Sequence, residues 1–297
     1  MQMFKRIGLF LLTNLLVVVT ISIAWSLISS FFGLEGIRQS MGSLLVFCSL
    51  FGFGGALISL LLSKVMAKWT AGVKTIDPNT NDPTLRRLVG RVHELARRAG
   101  LPRPPEVGIY ESPDVNAFAT GPSKGNALVA VSTGLLRGMS DDEVDGVLGH
   151  EIAHIANGDM VTLTLITGVV NTFSMFFSRI LANLISNSVD EKLRHIVYFA
   201  VTIAGDILFT LLGSIVVSYF SRQREFRADK GGAQYSGRQN MIAALRRLQS
   251  VYQTPFESEE KDMLATMKIS SRSKGGLMAL FKTHPDLEVR IQALQRG

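Results

Sequence analysis

The segment LGHEIAHIANGD, residues 148–159, sets His150 and His154 four residues apart with Glu151 beside the first. On a helix, successive residues turn by about 100°, so the two histidines fall about 40° apart on one face and one turn apart along the axis. Their imidazoles can converge on one ion. Glu151 points elsewhere, poorly placed to ligate the ion and well placed to reach a water on it. Neutral water attacks an amide slowly, but zinc can lower the pKa of water from about 15.7 to about 7, and a carboxylate can take the proton as attack begins. The chemistry these three residues suit is metal-assisted peptide hydrolysis. The plainer alternative, two histidines lining a core, leaves the adjacent glutamate unexplained.

A catalytic zinc needs a third protein ligand and an open fourth position. The metzincin pattern requires glycine at position 157 and histidine at 160, where this chain has Asn157 and Met160, so the ligand comes from elsewhere. In SRQREFRADKGGA, Glu225 and Asp229 are again four residues apart. Glu225 suits a ligand, and Asp229 suits an acceptor for the second nitrogen of a histidine. The plainer alternative is a solvated helix with Glu225 paired to neighbouring arginines. His93 reads as a surface residue, and His195 lies at the far end of an apolar hairpin. His284, in THPDLEVRI, is the rival ligand. It is also read as a donor to the tetrahedral oxyanion, against a packing role in a helix start where Thr283 caps and Pro285 takes the first turn.

The elements that must hold these groups are legible in part. Ser140 followed by Glu143 forms a capping box, Asp141 and Asp142 favour the helix N-terminus, and Asn157-Gly158 closes the helix. Val144, Val147, Leu148, Ile152 and Ile155 give it a buried stripe. Upstream, DPTLRRLVGRVHELARRAG predicts an amphipathic helix ended by Gly100 and Pro102. PEVGIYES, NAFATG and NALVAVSTGLL predict a small sheet. The run from 221 is expected to be mainly helical, and residues 257–276 to form a polar, mobile loop.

Four apolar runs surround these segments, at 7–25, 42–63, 160–177 and 196–220, each near the roughly 20 residues that cross a hydrocarbon core. The chain is 47% hydrophobic, more than a soluble domain needs. A cleavable signal peptide is disfavoured for the first run by its length and the lack of a small-residue cleavage site. Of the 31 Lys and Arg residues, 27 lie at the N-terminus, in 64–159 or in 221–297, which puts those parts in the cytoplasm by the positive-inside rule. The +7 charge thus needs no nucleic acid, and lipid head groups are the expected counterpart. Cys48 is the single cysteine, which excludes a disulfide framework and a cysteine zinc site. The expected organisation is two N-terminal spans in 1–63, the first half of a protease domain in 64–159, a transmembrane hairpin in 160–220 and the second half in 221–297. Asp206, deep in the fourth run, is expected to pair with Asn171 or to line a wet cavity.

GHEIAHIANGD, SRQREFRAD, NAFATG and THPDLEVRI together resemble the motif set of the HtpX heat-shock membrane metalloproteases, relatives of the eukaryotic CAAX prenyl proteases. The resemblance covers nearly the whole chain. It implies an α+β membrane protein with four transmembrane helices and a predominantly helical, zincin-like (gluzincin) cytoplasmic domain carrying a small sheet. It implies one zinc ion per chain held by His150, His154 and Glu225, with Glu151 catalytic and Asp229 orienting a histidine. Asn116, Ala117, Phe118 and Ala119 would lie near the substrate backbone. The implied activity is quality-control proteolysis of membrane proteins at the cytoplasmic face of the bacterial inner membrane. The zinc residues leave open a CAAX-type protease acting on lipidated peptides. A membrane transporter or channel with a regulatory zinc is a further alternative, for which Asp206 alone among the spans speaks.

Overall fold

The computed structural model describes residues 41–253 and 280–296, together with Ile23, Ser26 and Ser30. Apart from Ile23, the apolar run 7–25 lies outside the described residues, as does the polar segment 257–276. In chain order the elements are α1 (Met41–Thr70), β1 (Lys74–Thr75), α2 (Pro83–Arg98), β2 (Glu106–Tyr110), β3 (Ala117–Ser123), β4 (Asn126–Ser132), α3 (Thr133–Gly138), α4 (Asp141–Asn157), α5 (Asp159–Ser186), α6 (Glu191–Ser236), α7 (Arg238–Gln253) and α8 (Leu287–Arg296). The described chain divides into two compact units. One comprises residues up to Leu60 with Leu163–Val217, and the other Leu61–Thr162 with the residues from Ser218 onward.

The first unit is helical. Among the described residues, α1, α5 and α6 are the three helices long and apolar enough to cross a membrane. They leave Leu57, Phe173, Phe199 and Leu211 facing outward, a surface suited to lipid and costly in water. Their mutual packing uses small residues. A Cβ on Gly52 would meet Thr172, one on Gly205 would meet Ser178, and one on Gly213 would meet Val170. This packing also corrects the expected partner of Asp206. The nearest cation is Arg179, with Nη1 3.9 Å from Asp206 Oδ1, and Arg179 also lies over the Phe47 ring, 5.6 Å from its centroid. Equal depth from the ends of two antiparallel spans would put Asp206 opposite Asn171. The close approach of Gly205 to Ser178 instead sets the register and brings the residue after Ser178 alongside.

The second unit has a conventional core. Its sheet runs β1-β2-β4-β3, with β2 and β4 parallel and the outer pairs antiparallel, so β3 is an edge. The β3–β4 hairpin carries a register shift between Thr120 and Ser123. Gly121 makes the shift possible: its φ is 142°, and a Cβ there would stand 2.3 Å from the Asn126 carbonyl. The α4 helix begins with the full capping box, Ser140 and Glu143 each bonding the other's backbone, and ends at Gly158 with φ 71°. Its stripe Val147, Leu148, Ile152 and Ile155 is buried with Val92 and Leu95 of α2, Val129 and Val131 of β4, and Leu245 of α7. Each fully buried aliphatic side chain contributes about 1.5–3 kcal/mol.

The helices α4 and α7 meet closely at Gly146, where a Cβ would lie 2.3 Å from the Asn240 carbonyl. Gly146→Ala is therefore expected to destabilise the protein by about 1–3 kcal/mol despite alanine's higher helix propensity. A melting temperature in detergent equal to or above wild type would show that the two helices can part without cost.

Candidate metal centre

Two helical segments of the second unit converge on one point. His150 and His154 come from α4 and Glu225 from α6, and one ligand atom from each lies within 4.8 Å of the other two. The imidazoles are set by their outer nitrogens. His150 Nδ1 lies 2.9 Å from Asp229 Oδ1, and His154 Nδ1 lies 2.7 Å from Asp159 Oδ2. With those two nitrogens donating to carboxylates, both Nε2 atoms present lone pairs, 3.1 Å apart and 3.5 and 3.4 Å from the oxygens of Glu225.

The electrostatics fit a cation. Glu225 is wholly buried, yet neither carboxylate oxygen has a hydrogen-bond partner. Burial pushes its pKa up, but His150, His154 and His284 outweigh that and hold the carboxyl well below its usual range. Burial pushes His150 down, while Asp229 and Glu225 more than offset it and raise His150 to about 9. His154 is likewise raised against burial by Asp159 and Glu225. Two imidazoles and a carboxylate are crowded together, with oxygen lone pairs left unused. That donor set is one a divalent metal such as zinc completes.

The residues expected from the sequence come together here. Glu151 is buried and lines a cavity of about 450 Å³ with the three candidate ligand side chains. Asn116 and the edge-strand β3 residues Ala117, Phe118 and Ala119 line the same cavity, and His284 closes another side. His284 precedes α8, which begins at Leu287, so neither the capping role of Thr283 nor a first-turn Pro285 applies to that helix. Its Nδ1 is 2.9 Å from Glu225 Oε2 but is not aligned for a hydrogen bond.

Several contributors were not anticipated. Asp159, the carboxylate that orients His154, is buried directly after the helix-ending Gly158. Arg290 is 1% exposed and grips Asp229 through two hydrogen bonds of 2.7 and 2.6 Å. A signal for it was present. Leu287, Arg290, Ile291 and Leu294 follow the spacing of one helical face, so the arginine occupies a core position. The cavity wall from α1 carried no site signal in the sequence: Ser63 closes the second apolar run, and Met66 and Ala67 fall at the start of the 64–159 segment. Tyr110 also lines the cavity, with its phenol raised to about 12, foremost by burial.

Comparison with known proteins agrees with this centre. A model of Peptidase family M48 matches residues 83–297. The chain is 50% identical to "Protease HtpX homolog" of Bacillus pumilus (strain SAFR-032), covering 98% of this chain and 99% of the relative. It is also 50% identical to "Protease HtpX" of Shewanella oneidensis (strain ATCC 700550 / JCM 31522 / CIP 106686 / LMG 19005 / NCIMB 14063 / MR-1), again over 98% and 99%. The fold matches the crystal structure of S. mikatae Ste24p with a TM-score of 0.63 at 19% identity, covering 98% of this chain and 67% of the other. With the helix-borne histidine pair and its carboxylate partner in place, the chain belongs to Peptidase family M48 and is a membrane metalloprotease of the HtpX kind.

Proposed function

We propose that the protein is a zinc-dependent endopeptidase that hydrolyses misfolded or damaged membrane proteins at the cytoplasmic face of the bacterial inner membrane. One zinc per chain would be held by His150, His154 and Glu225. The observation that carries this reading is the convergence of those three side chains beside Glu151 in one cavity bordered by an edge strand. Bound there, zinc would supply a Lewis acid able to lower the pKa of water toward neutrality.

The chain's own residues do the rest. An extended peptide adds to β3 through main-chain hydrogen bonds, with Asn116, Ala117, Phe118 and Ala119 beneath it. Glu151 takes the proton from the attacking water and returns it to the leaving amine. His284 donates to the oxygen that gains charge as the carbonyl becomes tetrahedral. Asp229 and Asp159 hold the two histidines in the tautomer that leaves Nε2 free. Preference for membrane-protein substrates is supported by chain continuity. Glu225 lies on the same helix as the apolar stretch 196–220, and α5 follows α4 after Gly158 alone. The basic residues of 64–159 and 221–297 support a cytoplasmic site.

The test is detergent-purified protein given casein, then chelator, then zinc. Cleavage that stops on chelation and returns with zinc is the expected result, and protein with one zinc per chain that never cleaves overturns the reading. In the same assay Glu225→Ala is expected to bind less than a tenth of the zinc that wild type binds at equal free metal. Unchanged stoichiometry would move the third ligand to His284.

A further inference from the structure

We propose that Arg224 binds the substrate, donating from its guanidinium to a main-chain oxygen of the peptide beside the scissile bond. The proposal rests on the peptidase reading above and adds a residue to it.

The basic run that carries Glu225 divides by what each arginine holds. Arg222 donates through Nη1 to the carbonyls of Leu280 and Lys282, at 3.2 and 2.6 Å. Arg227 reaches Asp159 Oδ1 at 3.6 Å. Arg224 lines the cavity itself, where it is the only Lys or Arg among the described lining residues. Its side chain is 22% exposed, and its Nε is buried without a hydrogen-bond partner. The carboxylate nearest to it, Glu225 Oε1, stands 3.7 Å away, beyond hydrogen-bond reach. Glu225 is meanwhile faced by His150, His154, His284 and Arg290 as well, so it does not need Arg224 for charge balance.

A buried charged donor left unsatisfied is costly, and a catalytic cavity is where a ligand can complete it. The two flanks of this cavity differ in what they offer a peptide. On the β3 flank, an edge strand offers main-chain N–H and C=O groups. On the α6 flank, the backbone donors are spent within the helix, so a peptide carbonyl there must be met by a side chain. The planar fork of a guanidinium suits an sp² oxygen, and such an oxygen is present in every peptide whatever its sequence. It can be an internal carbonyl or a C-terminal carboxylate.

The experiment uses full-length, zinc-loaded protein in detergent as wild type, Arg224→Gln, Arg224→Lys and Arg224→Ala. Each is given a quenched fluorescent peptide cleaved internally. Two truncated versions end one residue past the scissile bond, one as the free acid and one as the amide. Arg224→Gln is expected to lose about 10- to 100-fold in kcat/KM on the peptides whose oxygen it binds, at wild-type zinc content and melting temperature. Arg224→Lys should recover only a small part, and millimolar guanidinium should restore part of the activity of Arg224→Ala while methylammonium does not. A loss on the internal and amidated peptides identifies the carbonyl; a loss confined to the free acid identifies the carboxylate. The proposal is overturned by kcat/KM within twofold of wild type in Arg224→Gln on all three peptides, or by zinc loss in both the Gln and Lys variants, which would make Arg224 a support of Glu225. Should wild type with one zinc per chain fail to cleave, the peptidase reading itself falls, a result distinct from either.

Discussion

Glu151→Gln is expected to keep one zinc per chain and to cleave casein about 10³-fold more slowly than wild type. The carboxylate stands outside the ligand group of His150, His154 and Glu225, so an amide of the same shape leaves metal binding intact. The amide cannot accept a proton, and a positioned general base and acid contributes about 10²- to 10⁴-fold. Because Glu151 serves both water attack and departure of the amine, the loss is placed well above the lower end of that range. Zinc content by elemental analysis and initial rates on labelled casein measure the two halves of the expectation separately. A zinc-loaded variant cleaving within tenfold of wild type would remove Glu151 from the chemistry. The same substitution should also leave preparations intact where wild type clips itself during concentration, since both outcomes depend on one step.

The convergence of the candidate ligand trio and the helix that carries its histidines were legible because they rest on local rules. Ser140 with Glu143, Gly158 and the four-residue spacing each fix geometry within a turn or two of helix. The two ligand-bearing segments could be matched from sequence because each shows the same spacing of paired polar groups. What did not show was the support. Asp159 reaches His154 only because Gly158 takes a left-handed conformation between the two helices, so a backbone angle decides the contact. The ends of α1 and β2 meet through Lys64 and Lys68 on Glu106, a pairing across some 40 residues that no local pattern encodes. Asp206 shows the same limit inside the apolar helices. Its depth could be counted, but its partner depends on how deeply Gly205 and Ser178 let two helices approach.

Arg290→Met is expected to cost about 3–5 kcal/mol, because it leaves Asp229 ionised in the core without its cation. Asp229 and Arg290 are both nearly inaccessible, and the guanidinium holds both oxygens of the carboxylate at once. Burial pushes Asp229 up, but Arg290 outweighs it and brings the carboxyl to about 2. A depressed carboxylate contributes stability that is complete above its unfolded value, 3.8, and is lost as pH falls toward 2. Removing Arg290 reverses that sign: Asp229 then favours its neutral form, so the variant's deficit should shrink as pH is lowered from 7 toward 4. The measurement is thermal unfolding in detergent in a Glu151→Gln background, which avoids self-cleavage, and a fall of roughly 10 °C at pH 7 is expected. Asp229→Asn added to Arg290→Met should recover about half of it. The amide carries no charge to strand, and its oxygen still accepts from His150 Nδ1, so the imidazole keeps its tautomer. A double variant no more stable than Arg290→Met would show that the arginine is retained for filling its buried position and not for the charge of Asp229.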